Sequence, residues 1–595
     1  MSLFPYVTAV CLFYTQLALA ATVQYDFNIT WVWANPDGLF PRPVIGVNDQ
    51  WPPPPLNAAV GDMVIVNVLN SLGNQSTSLH FHGLFMNGTS HMDGTSWVSQ
   101  CAIGPDSTFQ YRFTVKQPGA YWYHSHTEAQ YPDGLRGLMI VDDPESPYRS
   151  EYDDELVLSL SDWYHDPMPT LLSTYDQQTK MMGREPVPDS NLINDTRDAK
   201  VRIEPGRTYL VRVANIGALV GQYFWIRDHV LTIVEIDGVY TKVAETDMIY
   251  IAAGQRYSFL LKTREASSAN FPIVSRMDNS SFATSSDKLK SLDGVAWLTY
   301  GDDLPNLQPG EVDELKPLDD LTLAPYDEQP LLEVDHNITL NIDMHVRDDG
   351  INHWMFNDQH YEKPTLPSLF AALSFGPEAA DPNTYGPTTQ THVLEHGAVV
   401  EIEMSNKHMY PHPIHLHGHN FQVTHRSSKS LNDTPADQAP MRRDTVVVNG
   451  HGTLKLRFRA DNPGVWLFHC HMEWHAHSGL MATLIEAPTE LQKQLAGKVD
   501  QLSADPAKAC RTGHTETATP ESPLEAQPES GEDDQPAKQS LVWLTLPMPI
   551  LAIALGAILM TVIVLAYVCF GGRQFGLRNA AYSLVPVTDM ENETK

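Results

Sequence analysis

One ten-residue pattern occurs three times and constrains the fold more than any other feature of the chain. It reads GDMVIVNVLN at Gly61–Asn70, GRTYLVRVAN at Gly206–Asn215 and GAVVEIEMSN at Gly397–Asn406. Each copy opens on a turn glycine, alternates apolar residues with period two and closes on asparagine. That is a half-buried β-strand bounded by turns. Three copies predict three related β-domains, at 21–145, 150–305 and 330–495, in an all-β chain. The acidic, proline-rich stretch Leu304–Gln329 reads as an interdomain linker. The 595 residues are enough for three or four cores.

A second pattern occurs only twice. Gln110–His126 reads QYRFTVKQPGAYWYHSH and Lys455–His471 reads KLRFRADNPGVWLFHCH. Both are a strand, a Pro-Gly turn, an aromatic strand and then His-x-His. A third pattern pairs His80-Phe81-His82-Gly83 with His415-Leu416-His417-Gly418. The middle domain carries Arg256-YSFLL and Tyr223-Phe224-Trp225-Ile226 at the equivalent places, without the histidines. The middle domain is therefore expected to hold no metal.

Four His-x-His pairs result: His80/His82, His124/His126, His415/His417 and His469/His471. Residues i and i+2 of a strand share a face. Two pairs in domain one and two in domain three, at matching positions, place eight imidazoles at the interface of those domains. A structural zinc takes four ligands. Eight imidazoles suit several copper ions. Cys470 lies between His469 and His471 and faces the other way. With His412 and His475 it makes one thiolate and two imidazoles, the donor set of a blue-copper electron-transfer site. The axial position on the same loop falls at Leu480, which cannot coordinate, so a strongly oxidising copper is expected. The main chain at Cys470 joins this site to His469 and His471. His91, His353, His419 and His477 are expected to be structural.

HFHG, YHSH, HPIHLHGH and HCHMEWH together resemble the multicopper oxidases, specifically the fungal membrane-anchored iron-uptake ferroxidases. The resemblance spans about residues 22–500 and the C-terminal apolar segment. It implies three cupredoxin-like β-sandwich or barrel domains and four copper ions. By that resemblance His412, Cys470 and His475 hold type 1 copper, and His80 and His415 hold type 2. His82, His124, His126, His417, His469 and His471 hold the type 3 pair. Electrons then enter at type 1, and O2 is reduced to water at the cluster. Asp93, in MDGTSWVSQC, and Glu473, in HCHMEWH, match the family acids that assist proton delivery.

The resemblance also bears on the substrate. Iron-oxidising members place carboxylates beside the type 1 histidines, because Fe2+ prefers oxygen ligands. Glu185 matches one such position. A second falls near Ala283, with Asp278 or Asp287 as substitutes in a shifted register. A third falls at His408, and a tyrosine of that site aligns with Trp354. A pocket with Trp354 and His408 suits a flat aromatic, with Glu185 accepting a phenol proton. The expectation is therefore laccase-type oxidation of a phenolic or naphthol pigment precursor. The alternative is a ferroxidase serving an iron permease. A non-catalytic copper scaffold is a third reading, opposed by the intact ligand set.

Composition and the chain ends place the protein in a compartment. The net charge is −33, which opposes a nucleic-acid partner and permits cationic or neutral small substrates. Residues 1–20 read as a secretory signal ending Ala18-Leu19-Ala20. Asn28, Asn74, Asn87, Asn194, Asn279, Asn337 and Asn432 stand in Asn-x-Ser/Thr sites. Residues 511–539 read as a disordered stalk. Residues 546–570 read as one transmembrane helix. Arg573 and Arg578 then put the tail, 571–595, in the cytosol. This is type I topology, with the catalytic part outside the cell or in a lumen and the plasma membrane as the expected site. Of five cysteines, Cys11 leaves with the signal and Cys569 lies at the membrane edge. Cys101–Cys510 is the natural disulfide if Cys470 is otherwise engaged.

Overall fold

The structure, a computed structural model, describes residues 20–178, 185–281, 292–312, 314–427, 439–497 and 510. The secretory segment before Ala20, Ala283, Asp287, Asn432, the stalk and the apolar C-terminal segment lie outside the described residues. No helix among the described residues is long and apolar enough to cross a membrane.

The described chain is dominated by strands, arranged as three pairs of sheets. In each pair the repeat strand makes the same contacts. Strand Met63–Asn70 runs parallel to Thr22–Ala34 and antiparallel to Thr108–Thr114. Thr208–Asn215 runs parallel to Asp154–Trp163 and antiparallel to Arg256–Lys262. Val399–Asn406 runs parallel to His336–Val346 and antiparallel to Thr453–Arg459. The period-two pattern works as read: Val64, Val66 and Val68 are buried, each contributing about 1.5–3 kcal/mol.

The two punctuating residues of the repeat have physical jobs. Gly61, Gly206 and Gly397 all have positive φ, between 76 and 96°, which other residues rarely adopt. The closing asparagines are buried, and each ties two loop carbonyls. Asn70 Nδ2 donates to Gln75 O and Ile103 O, Asn215 Nδ2 to Val220 O and Ile251 O, and Asn406 Nδ2 to Tyr410 O and Asn449 O. Each asparagine oxygen accepts a backbone N–H two residues on, from Leu72, Gly217 and His408.

The stretch 304–329 is more than a linker. Leu321 and Leu323 are buried, Lys242 N donates to Ala324 O and Leu318 N to Met248 O. Asp320 pairs with Arg426 and Arg443, both at 2.6 Å. Its composition reads as a linker because those arginine partners are more than 100 residues away in sequence. A helix the repeats did not announce, Met168–Gln178, packs Tyr175 against Trp354 and Trp474.

Candidate metal centre

Strands His412–Leu416 and Gly464–Cys470 pair antiparallel, with Ile414 opposite Cys470 and His415 opposite His469. Successive residues point to opposite faces, so His469 and Cys470 serve different sites. On the cysteine side, Cys470 Sγ lies 3.7 Å from His412 Nδ1 and 3.5 Å from His475 Nδ1, and the two nitrogens are 3.0 Å apart. His475 arrives on the short helix Glu473–His477. All three residues are buried. Burial pushes the Cys470 thiol up, so a bound cation is what would make it a thiolate. Leu480 is fully buried and is held by the backbone: Cys470 N donates to Leu480 O, and Leu480 N to His475 O.

The eight remaining imidazoles converge between the first and last sheet pairs. His80 and His124 are cross-strand partners, as are His415 and His469. The groups His80–His82–His124, His80–His415–His417 and His126–His417–His469 each bring three ligand atoms within 4.8 Å of one another. His82 Nδ1 lies 3.1 Å from His471 Nε2, and His417 Nε2 lies 3.1 Å from His469 Nε2. Backbone carbonyls fix the other nitrogen of several rings. His80 Nδ1 donates to Asp93 O, His124 Nδ1 to Ser125 O, His415 Nδ1 to Asp444 O and His469 Nδ1 to Cys470 O, all at 2.8–2.9 Å. A carbonyl can only accept, so the inward nitrogen carries a lone pair.

Those lone pairs test the fit to a metal. His80 Nε2, His124 Nε2 and His415 Nε2 are buried without a hydrogen-bond partner, a costly condition unless an ion takes them up. Burial holds His82, His412, His417, His469 and His471 well below the ordinary histidine range, and His126 at about 3. They are neutral imidazoles. An all-imidazole cluster beside a site of one cysteine and two histidines fits copper.

The two acids occupy different surroundings. Asp93 is fully buried. It accepts from His417 Nδ1 at 3.0 Å and from Thr95 Oγ1 at 2.6 Å, and its Oδ1 lies 3.3 Å from His80 Nδ1. Glu473 lines a cavity of about 710 Å3 that it shares with His124, His126, His469 and Tyr131. Burial pushes its carboxyl up to about 7.

The substrate pocket departs from expectation at one residue. An aromatic-binding pocket needs an open indole face at Trp354, yet Trp354 is 1% exposed. Its ring lies 4.1 Å from that of His475, 4.9 Å from His412 and 4.7 Å from His408. Its Nε1 donates to Tyr175 Oη at 3.2 Å. Trp354 is packing behind the Cys470 site: His408, His412 and His475 crowd its ring, and Tyr175 of the unforeseen helix ties its Nε1. Glu185 behaves otherwise. Its Oε1 accepts from His475 Nε2 at 3.0 Å, which keeps the carboxyl below its usual range despite burial. His408 is half-buried, and burial holds it at about 4.

Sequence reasoning missed Asp444, Arg256 and Asp162. Asp162 accepts from the backbone N–H groups of Ala218, Leu219 and Val220 at 2.7–3.1 Å, and Ala218 O accepts from Glu473 N. The signal for Asp444 was present: Arg442-Arg443-Asp444 immediately precedes an apolar strand, Thr445–Val448. Cys101 and Cys510 form a disulfide. Six of the seven glycosylation candidates lie among the described residues and are exposed or half-exposed.

The comparisons agree with this chemistry. Family models described as multicopper oxidase match residues 28–146, 154–302 and 361–490. The chain is 50% identical over 525 residues to the iron transport multicopper oxidase fetC of Epichloe festucae, covering 86% of this chain and 83% of that protein. It is 37% identical over 602 residues to the iron transport multicopper oxidase FET3 of Saccharomyces cerevisiae, covering 98% and 91%. The crystal structure of Fet3p, a multicopper oxidase that functions in iron import, superposes with a TM-score of 0.79 at 38% identity, covering 87% of this chain and 100% of that one. A laccase from Botrytis aclada gives 0.71 at 26% identity, covering 81% and 92%. With the cysteine site, the imidazole cluster and these likenesses in agreement, the chain belongs to the multicopper oxidase family.

Proposed function

We propose that this protein is a cell-surface ferroxidase that oxidises Fe2+ with O2 as acceptor and works beside an iron permease. The observation that carries the reading is the Glu185–His475 hydrogen bond at 3.0 Å. A carboxylate is a hard oxygen ligand suited to iron, and this one touches a histidine of the cysteine site. The names of the relatives in Epichloe festucae and Saccharomyces cerevisiae support it. Laccase-type oxidation of a phenol is the second reading. The uncharged His408 beside Trp354 favours it, and the burial of Trp354 disfavours it.

The reading includes four coppers: one held by His412, Cys470 and His475, three by the eight clustered imidazoles. Copper so bound supplies one-electron redox chemistry, with four Fe2+, one O2 and four protons giving four Fe3+ and two waters. The protein's own groups do the rest. Glu185 binds and orients the cation. His475 Nε2 holds its proton on the Glu185 side, leaving Nδ1 for metal. The main chain of Cys470 links the entry site to His469 and His471 within one residue. Asp93 fixes the tilt of His80 and His417. Glu473 holds a proton at its carboxyl on the cavity wall, where water can deliver it. The reading also takes in the domain limits 21–145, 150–305 and 330–495, a secreted and glycosylated globule, the stalk at 511–539 and a single span at 546–570.

The test is O2 consumption by the copper-loaded full-length protein with Fe2+ and a simple naphthol as competing reductants. The expected result is a far higher kcat/KM for Fe2+. Glu185→Ala should lower it about tenfold or more while sparing the naphthol. Preferred naphthol turnover, with no saturable response to Fe2+, would reject the ferroxidase reading.

A further inference from the structure

The middle domain contributes no histidine to the three-residue groups described above, yet it touches the imidazole cluster. Gly254, at φ +86°, packs so close that a Cβ there would lie 3.0 Å from both His471 Cδ2 and His82 Cε1. Gln255 Nε2 donates to Thr445 O at 2.9 Å. Arg256 spends its guanidinium across all three sheet pairs. Nε donates to Ala120 O, on the strand that ends at His124, at 2.9 Å. Nη1 and Nη2 clasp the carboxylate of Asp444 at 2.7 and 2.6 Å.

Asp444 stands behind two ligand rings. Its carbonyl accepts from His415 Nδ1 at 2.9 Å. Its Oδ1 lies 3.3 Å from His82 Nε2 and 3.5 Å from His415 Nδ1. These are the outward nitrogens. The inward ones are His82 Nδ1, 3.1 Å from His471 Nε2, and the unpartnered His415 Nε2. Asp444 is therefore placed to orient the imidazoles rather than to join them as a ligand. Thr445 Oγ1 donates to the same Asp444 Oδ1 at 2.8 Å, so that oxygen is held in place as well.

We infer that Arg256 of the middle domain is a positioning residue for the imidazole cluster, acting through Asp444 on His82 and His415. The bidentate fork fixes the carboxylate in one plane. The carboxylate in turn fixes the tilt and tautomer of two rings that come from different domains. Arg256 also belongs to a buried ladder in which Asp237 bridges it to Arg443, and Arg443 reaches Asp320 and so Arg426. A purely structural ladder would act alike at either end. A positioning role makes only the Asp444 end matter to the metal.

This inference rests on copper occupying the clustered imidazoles, as proposed above. The test compares full-length wild type with Asp444→Asn, Arg256→Lys and Arg426→Gln. Each protein is measured for copper per chain, for its copper EPR spectrum and for Tm. Asp444→Asn and Arg256→Lys should keep the signature of copper at Cys470 while shifting or losing that of the imidazole-held copper. The affinity loss there should be about 10- to 100-fold, typical when the hydrogen-bond partner of a ligating histidine is removed. Arg426→Gln, at the far end of the ladder, should lower Tm alone. Wild-type copper content and EPR in both Asp444→Asn and Arg256→Lys would overturn the inference. So would loss of both copper classes together in step with Tm. A wild-type chain without copper at the imidazoles would instead reject the metal assignment, and this inference with it.

Discussion

The middle and last sheet pairs share a frame and differ in what they hold. Both have a six-stranded and a five-stranded sheet, the same Gly-to-Asn strand and the same asparagine clasp. Where the last pair carries His412–Leu416, the middle pair carries Gln222–Ile226, whose Tyr223 and Trp225 take the place of imidazoles. Frame and ligands are therefore separable. The glycine and asparagine secure the strand and its loops, and the metal-site residues occupy positions that the frame leaves free. The middle pair uses this freedom to support its neighbours through Asp162, Gly254 and Arg256.

Substitutions can press on that separation. The largest effect is expected for Cys470→Ser, which removes the thiolate from the last pair alone. Oxidase activity should fall to background while far-UV circular dichroism stays native, and residual turnover above a copper-in-buffer control would contradict the assignment. Glu473→Gln should lower kcat for O2 reduction by about 10²- to 10⁴-fold, the usual worth of a positioned acid, with copper content unchanged. Asn215→Ala and Asn406→Ala each remove an amide that donates to two loop carbonyls and accepts one backbone N–H, so each should cost about 2–4 kcal/mol in urea unfolding. Only Asn406→Ala should also perturb the Cys470 site, because Asn406 Oδ1 holds His408 N and its amide holds Tyr410 O, just before His412. Equal spectroscopic effects from the two variants would mean that frame and ligands are not separable.

The smallest effect concerns acid. Burial opposes ionisation of Asp320, but Arg426 and Arg443 bring its pKa down to about 2. A carboxyl whose folded pKa is depressed stabilises the fold above its unfolded pKa, near 3.9, and that contribution fades as pH falls from there to about 2. It amounts to about 2 kcal/mol at neutral pH. Asp320→Asn should flatten the acid limb of the stability profile between about pH 4 and pH 2. An unchanged limb would show that the seam between the middle and last pairs is held without this charge.

The parts of the molecule readable from sequence are those encoded by local periodicity. The alternation in Met63–Asn70 and its two copies gave the strands, and repeat register brought the histidine pairs together, because a period of two fixes a shared face. Cys470 was readable for the same reason, as the residue between two histidines that face the other way. What escaped depends on contacts made over long separations. Trp354 looked like a pocket face because nothing near it in sequence shows that His408, His412 and His475 crowd its ring and that Tyr175, 179 residues away, ties its Nε1. Arg256 looked like the opening of an ordinary strand, although its partner Asp444 is 188 residues on. The stretch 304–329 reads as a linker because its acids are read without the arginines that pair with them.

The Cys101–Cys510 bond closes a loop with a sequence separation of 409, and this gives the molecule a load path. A pull applied at Cys510 reaches Cys101, eight residues after Asp93, directly through the disulfide. A covalent strut thus delivers force applied at Cys510 into the first sheet pair. A peptide bond cut at any point between residues 101 and 510 would likewise leave both fragments covalently joined. The assembly should then dissociate only when the disulfide is also reduced.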